Sequence, residues 1–389
     1  MNHNDPLSTQ FKKVQQRALL VAGVGSALLA VGAMMSHADF FQAYLYGYVF
    51  WMGLTLGCLG ILILHHLVSG SWGHVVQRYV ESGASTLPFM ALLFVPIILG
   101  MHELYPWTNH DHLEHVVEKK LGYLNVPFFL VRQVLYFTVW AGVASWLSKQ
   151  SRLQDETGDP RLTRKMKIFS GPSMVLFVLT VTLASVDWMM SLEPEWYSTM
   201  YGIGRIAGTV LTTLAFCILV VRWLGEKKPL VDILTTRHVH HLGNLLMAFT
   251  IFWAYIAFSE FLIIWSGNLP EDNMWHLRRM GTGWNILAAI LIVGHFMVPF
   301  ALLLSRDLKR HIKPLARIAV GILVMRFIDL YWLMYPAFNA HQMKFHWLTV
   351  VAPVAIGGIW MWLFIARLKK HPLLPLHDPR FHNGMAEQH

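Results

Sequence analysis

Long apolar runs separated by short polar or basic stretches organise this 389-residue chain. Ten of them stand out, at about 17–35, 41–67, 86–103, 126–148, 171–190, 201–223, 242–265, 283–305, 315–334 and 347–367. Crossing a bilayer core takes about 20 residues of helix, and these runs are near that length. None alternates with the two-residue period of a barrel strand. Backbone in hydrocarbon must satisfy its own hydrogen bonds, which leaves helices. The pattern predicts an all-α integral membrane protein with ten transmembrane helices. It divides into 1–38 (N-terminal segment and first helix), 39–200 (four helices), 201–346 (four helices) and 347–389 (tenth helix and tail). Two four-helix bundles flanked by the first and last helices are expected, because a shift of four helices preserves direction. Tyr46-Gly47 opens the second helix as Tyr201-Gly202 opens the sixth, and parallel repeats of this kind recur in membrane proteins.

Composition narrows the picture. Only 14% of residues are charged, against about 25% in soluble domains, so no soluble domain is expected. The net charge of +9 would suggest nucleic acid on a soluble protein. Here the basic residues follow the loops. The odd-numbered loops hold only Lys119, Lys120, Arg278, Arg279 and Lys344. The second loop carries Arg78, and the fourth (149–170) carries Lys149, Arg152, Arg161, Arg164, Lys165 and Lys167. The sixth and eighth loops and both tails are basic as well. By the positive-inside rule both termini are cytoplasmic, and nucleic-acid binding is excluded. The first apolar run reads as a membrane helix rather than a cleaved signal, since it is long and lacks a cleavage site. Cys58 and Cys217 are lone residues within helices, with no CxxC or CxxCH, and read as small buried hydrophobes. The third loop (104–125) contains His110, Asp111, His112, Glu114 and His115. Their spacing fits no closed zinc site, so a solvated loop is expected. The tail after Lys370 is expected to lie extended over the inner surface.

Six ionisable residues fall inside apolar runs: Arg132, Asp187, Arg205, Glu260, Arg326 and Asp329. All lie toward the side of the odd-numbered loops. Charge in hydrocarbon is costly unless paired or set in a polar cavity, and three Arg with three acids can pair. Arg132 and Glu260 sit roughly 8–10 Å deep by helical rise, with Asp329 similar and Arg326 about one turn deeper. Asp187 and Arg205 lie within about a turn of a helix end, where snorkelling into water competes with a functional role. Arg326 and Asp329 share a helix face at i and i+3. Glu260 has no charged neighbour on its own helix. It must find a partner elsewhere or stay protonated, as a proton relay or as an inert hydrogen-bonding acid. His295 lies mid-helix, four residues before Pro299, whose ring should free the His295 carbonyl at a kink. Water or a proton could be held there, or the imidazole could bond between helices. Bis-histidine haem in a helix bundle needs two facing histidines at one depth within the membrane. His65, His66, His240 and His241 lie toward the inner surface, away from His295, so no haem is expected. The proton-path candidates are thus His295, Glu260, Asp329 and Asp187, and the ion-pair candidates Arg132, Arg205, Arg326 and Asp329. No metal site is expected in this chain. Trp and Tyr near helix ends read as interfacial belts.

Three longer segments carry a family resemblance. They are Phe50-Trp51-Met52-Gly53 with Gly57-Cys58, running to His65-His66-Leu67 and Gly70-Ser71-Trp72-Gly73; Asp187-Trp188-Met189-Met190-Ser191-Leu192-Glu193-Pro194, continuing to Trp196, Ser198-Thr199 and Tyr201; and Gly294-His295-Phe296 through Pro299-Phe300 to Leu304-Ser305-Arg306. In these the chain resembles the F subunit of the alternative complex III, a polysulfide-reductase-type membrane subunit, over essentially its whole length. The resemblance implies a bacterial inner-membrane protein inside a quinol:electron-acceptor oxidoreductase. It implies partners: a paralogous C subunit, an iron–sulfur protein, multihaem and monohaem cytochromes c, a terminal oxidase as acceptor, and lipids. Haem c and iron–sulfur clusters would belong to those partners, so this chain alone would carry no cofactor and no redox chemistry. Proton half-channels and/or a surface facing quinone or quinol would be its contribution, while the family's better-supported quinol site is in the C subunit beside the iron–sulfur protein. Two other readings stand beside this one. A secondary transporter also uses repeats and buried charges, and a purely structural subunit would keep its charges paired.

Overall fold

In a computed structural model, residues 6–109, 115–281, 283–339, 342–370, 372–375 and 378 are described. Every regular element among them is helical. Ten of these helices are long and apolar enough to cross a membrane. They are α1 (Leu7–Met35), α2 (His37–Val68), α3 (Ser71–Leu99), α4 (Val126–Thr157), α5 (Pro160–Leu192), α6 (Tyr201–Leu224), α7 (Thr236–Gly267), α8 (Trp284–Leu304), α9 (Ile312–Ala337) and α10 (Leu348–Leu368). The chain is built as a multi-pass membrane protein.

Several helices outrun their apolar runs. The stretch 149–170, expected as a loop, is helical except at a break around Gly158 and Asp159. Hydropathy detects only the segment that suits hydrocarbon, whereas the backbone continues as helix until something stops it. Gly158 ends α4 in the left-handed conformation (φ 66°), and Asp159 then caps α5 by accepting from the Arg161 N–H, with Pro160 at the first helical position. The second loop is similarly shortened. α3 begins at Ser71, so Arg78 lies inside a helix and is buried, not in a solvated loop. Of the third-loop cluster, His110, Asp111, His112 and Glu114 lie outside the described residues.

α2 packs against α3 and α5, and α4 completes that set by touching α3 and α5. α6 packs against α7 and α9, and α8 touches both α7 and α9. α2 and α6 also meet each other, and α1 lies along α10. Small residues allow the closest approaches, as in packed membrane helices. A Cβ on Gly57 would fall 2.1 Å from Thr213 Oγ1 and 2.5 Å from the Thr209 carbonyl, so α2 and α6 touch at backbone distance there. Gly25 and Gly358 serve the α1–α10 contact in the same way. Gln15 near the start of α1 bonds Lys369 just past α10, so the start of α1 and the end of α10 lie at one end of the molecule, the tail face. Leu373 and Leu374 of the tail are buried in the core, so this stretch inserts rather than merely covering the surface.

Candidate functional site

Five of the six intramembrane ionisable residues assemble around two aspartates, and Glu260 lies apart from both carboxylates. Asp187, at the end of α5, is fully buried and receives Arg132 of α4 through two guanidinium contacts, Nε to Oδ2 at 2.9 Å and Nη2 to Oδ1 at 3.0 Å. Tyr136 Oη (3.0 Å) and Gln133 Nε2 (3.3 Å) donate to the same carboxylate. Arg132 also lies over the Tyr123 ring at 3.8 Å and donates to the Tyr123 carbonyl at 2.9 Å. Neither Asp187 nor Arg205 snorkels. Asp187 is fully buried and Arg205 only 6% exposed, because side chains of the neighbouring helices surround them: Arg132, Gln133 and Tyr136 of α4 around Asp187, and Asp329 of α9 beside Arg205.

Asp329 of α9 centres the second group. Arg326, one turn earlier, bonds it directly, and Arg205 of α6 approaches to 3.8 Å. Arg326 also donates through Nε to Thr212 Oγ1 at 3.3 Å. Room for its guanidinium comes from Gly208, where a Cβ would lie 2.2 Å from Nη2. Two arginines face one aspartate here. Glu260 of α7, half-buried, accepts a hydrogen bond from Ser198 Oγ and has Arg279 and Arg205 as its electrostatic neighbours. Arg326 and Arg205 would be matched by Asp329 and an ionised Glu260, while Arg279 has Glu193 as its own partner.

His295 is fully buried on α8, its ring 4.0 Å from that of Trp253, and Arg326 and Arg205 are the cations nearest in electrostatic effect. Neither ring nitrogen has a hydrogen-bond partner among the described residues. Leaving such a group unsatisfied costs about 1–3 kcal/mol. Leu291–Met297 is a π-helical turn. The turn before Pro299 is thus widened, a feature common where helices carry function and one of the usual causes of a helix kink. Between α2, α5, α6 and α9 lies a cavity of about 40 Å³ lined by Arg205, Arg326, Thr209 and Thr212 together with Phe50 and Trp188. That is room for a few waters and far below the roughly 300–1,000 Å³ of a small-molecule site.

Several buried groups escaped the sequence reading. Arg78, on the tail-face half of α3, pairs with Glu81 (2.7 Å) and with Asp155 of α4 and donates to Ser151 Oγ at 3.0 Å. On the opposite face Glu193, just beyond α5, binds Arg278 at 3.1 Å and Arg279 at 2.7 Å. Arg279 lies 3.6 Å over the Trp275 ring and donates to the Leu333 carbonyl at 2.7 Å. Burial lowers its pKa while Glu193 opposes that shift. These were assigned to loops because loop cations are normally solvated.

The fold and these clusters define a multi-pass helical membrane protein with two buried arginine–aspartate centres. Compared with known protein families and with curated proteins, the chain returns no match.

Proposed function

We propose that this chain is a cofactor-free membrane subunit of a bacterial quinol:electron-acceptor oxidoreductase of the alternative complex III type, and that its second half moves protons. The complex, its cytochrome and iron–sulfur partners and its inner-membrane location rest on the sequence resemblance. The contacts of α2–α5 and of α6–α9 support a reading as two four-helix bundles flanked by α1 and α10. The basic residues of the even-numbered loops support a cytoplasmic tail face.

One observation carries the proton path: a fully buried imidazole with both nitrogens unbonded beside an arginine–aspartate group of excess positive charge. A relay station must exist in two protonation states, and among the described residues His295 has no hydrogen-bond partner that commits it to one. Glu260 accepts from Ser198 Oγ and has Arg279 and Arg205 as its electrostatic neighbours. We assign His295 and Glu260 as relay groups and Asp329 as the anion that organises Arg326 and Arg205. Asp187 is left out of the path, because four donors already hold its carboxylate. The small cavity favours water over a quinone ring or a transported solute at this spot.

The test uses the assembled complex in vesicles. His295→Phe keeps bulk and removes titration, and Glu260→Gln keeps a hydrogen-bonding amide. Each is expected to lower protons released per quinol oxidised more than it lowers electron transfer. An unchanged proton-to-electron ratio in both variants would refute the relay. Purification of the chain without any cytochrome or iron–sulfur partner would refute the complex.

A further inference from the structure

We propose that His65, His74 and Asp378 form a transition-metal site of zinc type that fastens the C-terminal tail to the α2–α3 turn. This rests on none of the proton-path residues.

The three residues come from separate parts of the chain. His65 lies in the last turn of α2 and His74 in the first turn of α3. The chain reverses between them at Ser69, which is left-handed (φ 62°). Gly73 opens the space for the His65 ring, since a Cβ there would lie 1.8 Å from His65 Nδ1. The His65 and His74 rings are 5.0 Å apart and nearly perpendicular. Asp378 arrives from the tail, guided by the buried Leu373 and Leu374, and its Oδ2 is 3.9 Å from His74 Nε2. One donor atom from each residue lies within 4.8 Å of the others. All three are buried, at 0%, 4% and 1% exposure.

Distance and donor type both point to a shared ion. At 3.9 Å the His74–Asp378 pair is too far apart for a hydrogen bond between them. Two ligands on one zinc, each about 2.0–2.2 Å from it, stand roughly 3.3–3.5 Å apart. Side-chain shifts of about an ångström would bring the set onto a single centre. Two imidazoles and one carboxylate suit zinc, whereas calcium and magnesium take oxygen ligands almost exclusively. Three protein ligands leave a fourth position for water.

The experiment takes the full chain in its native assembly, purified on a tag without histidines, stripped with chelator and titrated with Co²⁺ or Zn²⁺. The expected result is about one tightly bound ion of the added metal per chain, counted by elemental analysis of the stripped and reloaded assembly. Asp378→Asn and His74→Ala should each weaken it at least tenfold, while His311→Ala, at an exposed histidine, should not. Asp378→Asn alters only the tail, so its result stands even if His74→Ala fails to fold. Stripping the metal should speed proteolysis beyond Leu374. Absence of a stoichiometric ion at micromolar Co²⁺, or equal binding in wild type and Asp378→Asn, would overturn the proposal.

Discussion

Asp187 shows how a single buried charge is held. Its carboxylate accepts from a guanidinium, a phenol and an amide, so no lone pair faces hydrocarbon. Removing the charge leaves Arg132 buried without its counter-ion. Asp187→Asn should therefore cost about 3–5 kcal/mol, read as a lower unfolding midpoint in detergent. Replacing Arg132 and Asp187 together by apolar residues should recover part of that loss; a double variant no better than Asp187→Asn would contradict the pairing. His276 offers a pH test outside the membrane-spanning segments. Burial, helped by the neighbouring Arg279, pulls its pKa down to about 4. Above an unfolded value near 6.5 both states are neutral and nothing changes. Between there and about 4 the unfolded chain binds the proton first, so stability falls as pH falls. After allowance for solvent screening the loss is on the order of 1–2 kcal/mol. His276→Phe should flatten stability over that window, and an unaltered pH profile would count against it.

Helix-scale behaviour depends on where small residues lie. Gly57 touches the α6 backbone, whereas Gly142 on α4 has open space beside it. Gly57→Ala should force α2 and α6 apart and cost about 1–3 kcal/mol. Gly142→Ala should be neutral or stabilise by up to about 1 kcal/mol, because alanine is the better helix former. Thermal unfolding of the two variants side by side would test this, and equal midpoints would deny the close α2–α6 contact. The same contrast runs through whole elements. In its most apolar window α2 is 83% buried and α7 only 17%. α2 is central and α7 peripheral although both read as equally good spans from sequence, since hydropathy does not distinguish lipid from protein neighbours.

For the whole molecule the open quantity is orientation, which the distribution of Lys and Arg predicts. Cys58 and Cys217 are both fully buried, so an impermeant thiol reagent reports only on an introduced cysteine. Lys228→Cys should be labelled from the cytoplasmic side and Glu118→Cys from the other. The reverse pattern would invert the assigned topology.

The number of spans, their helical nature and the presence of costly intramembrane charges were all legible in the linear pattern, because each depends on local length, period and polarity. The end positions of α4 and α5 were partly hidden, since a polar helix and a polar loop look alike to hydropathy until a cap such as Gly158-Asp159 is recognised. Partner choice was out of reach. That Arg132 meets Asp187 on another helix, that Arg326 is shared between Asp329 and Thr212, and that Arg78 and Arg279 leave their expected loops for the interior are facts of packing. A charge settles in the nearest site where donors and acceptors converge from several helices, and that convergence exists only once the helices have assembled. The chain alone thus determined which residues needed partners, and the tertiary structure decided which partners they found.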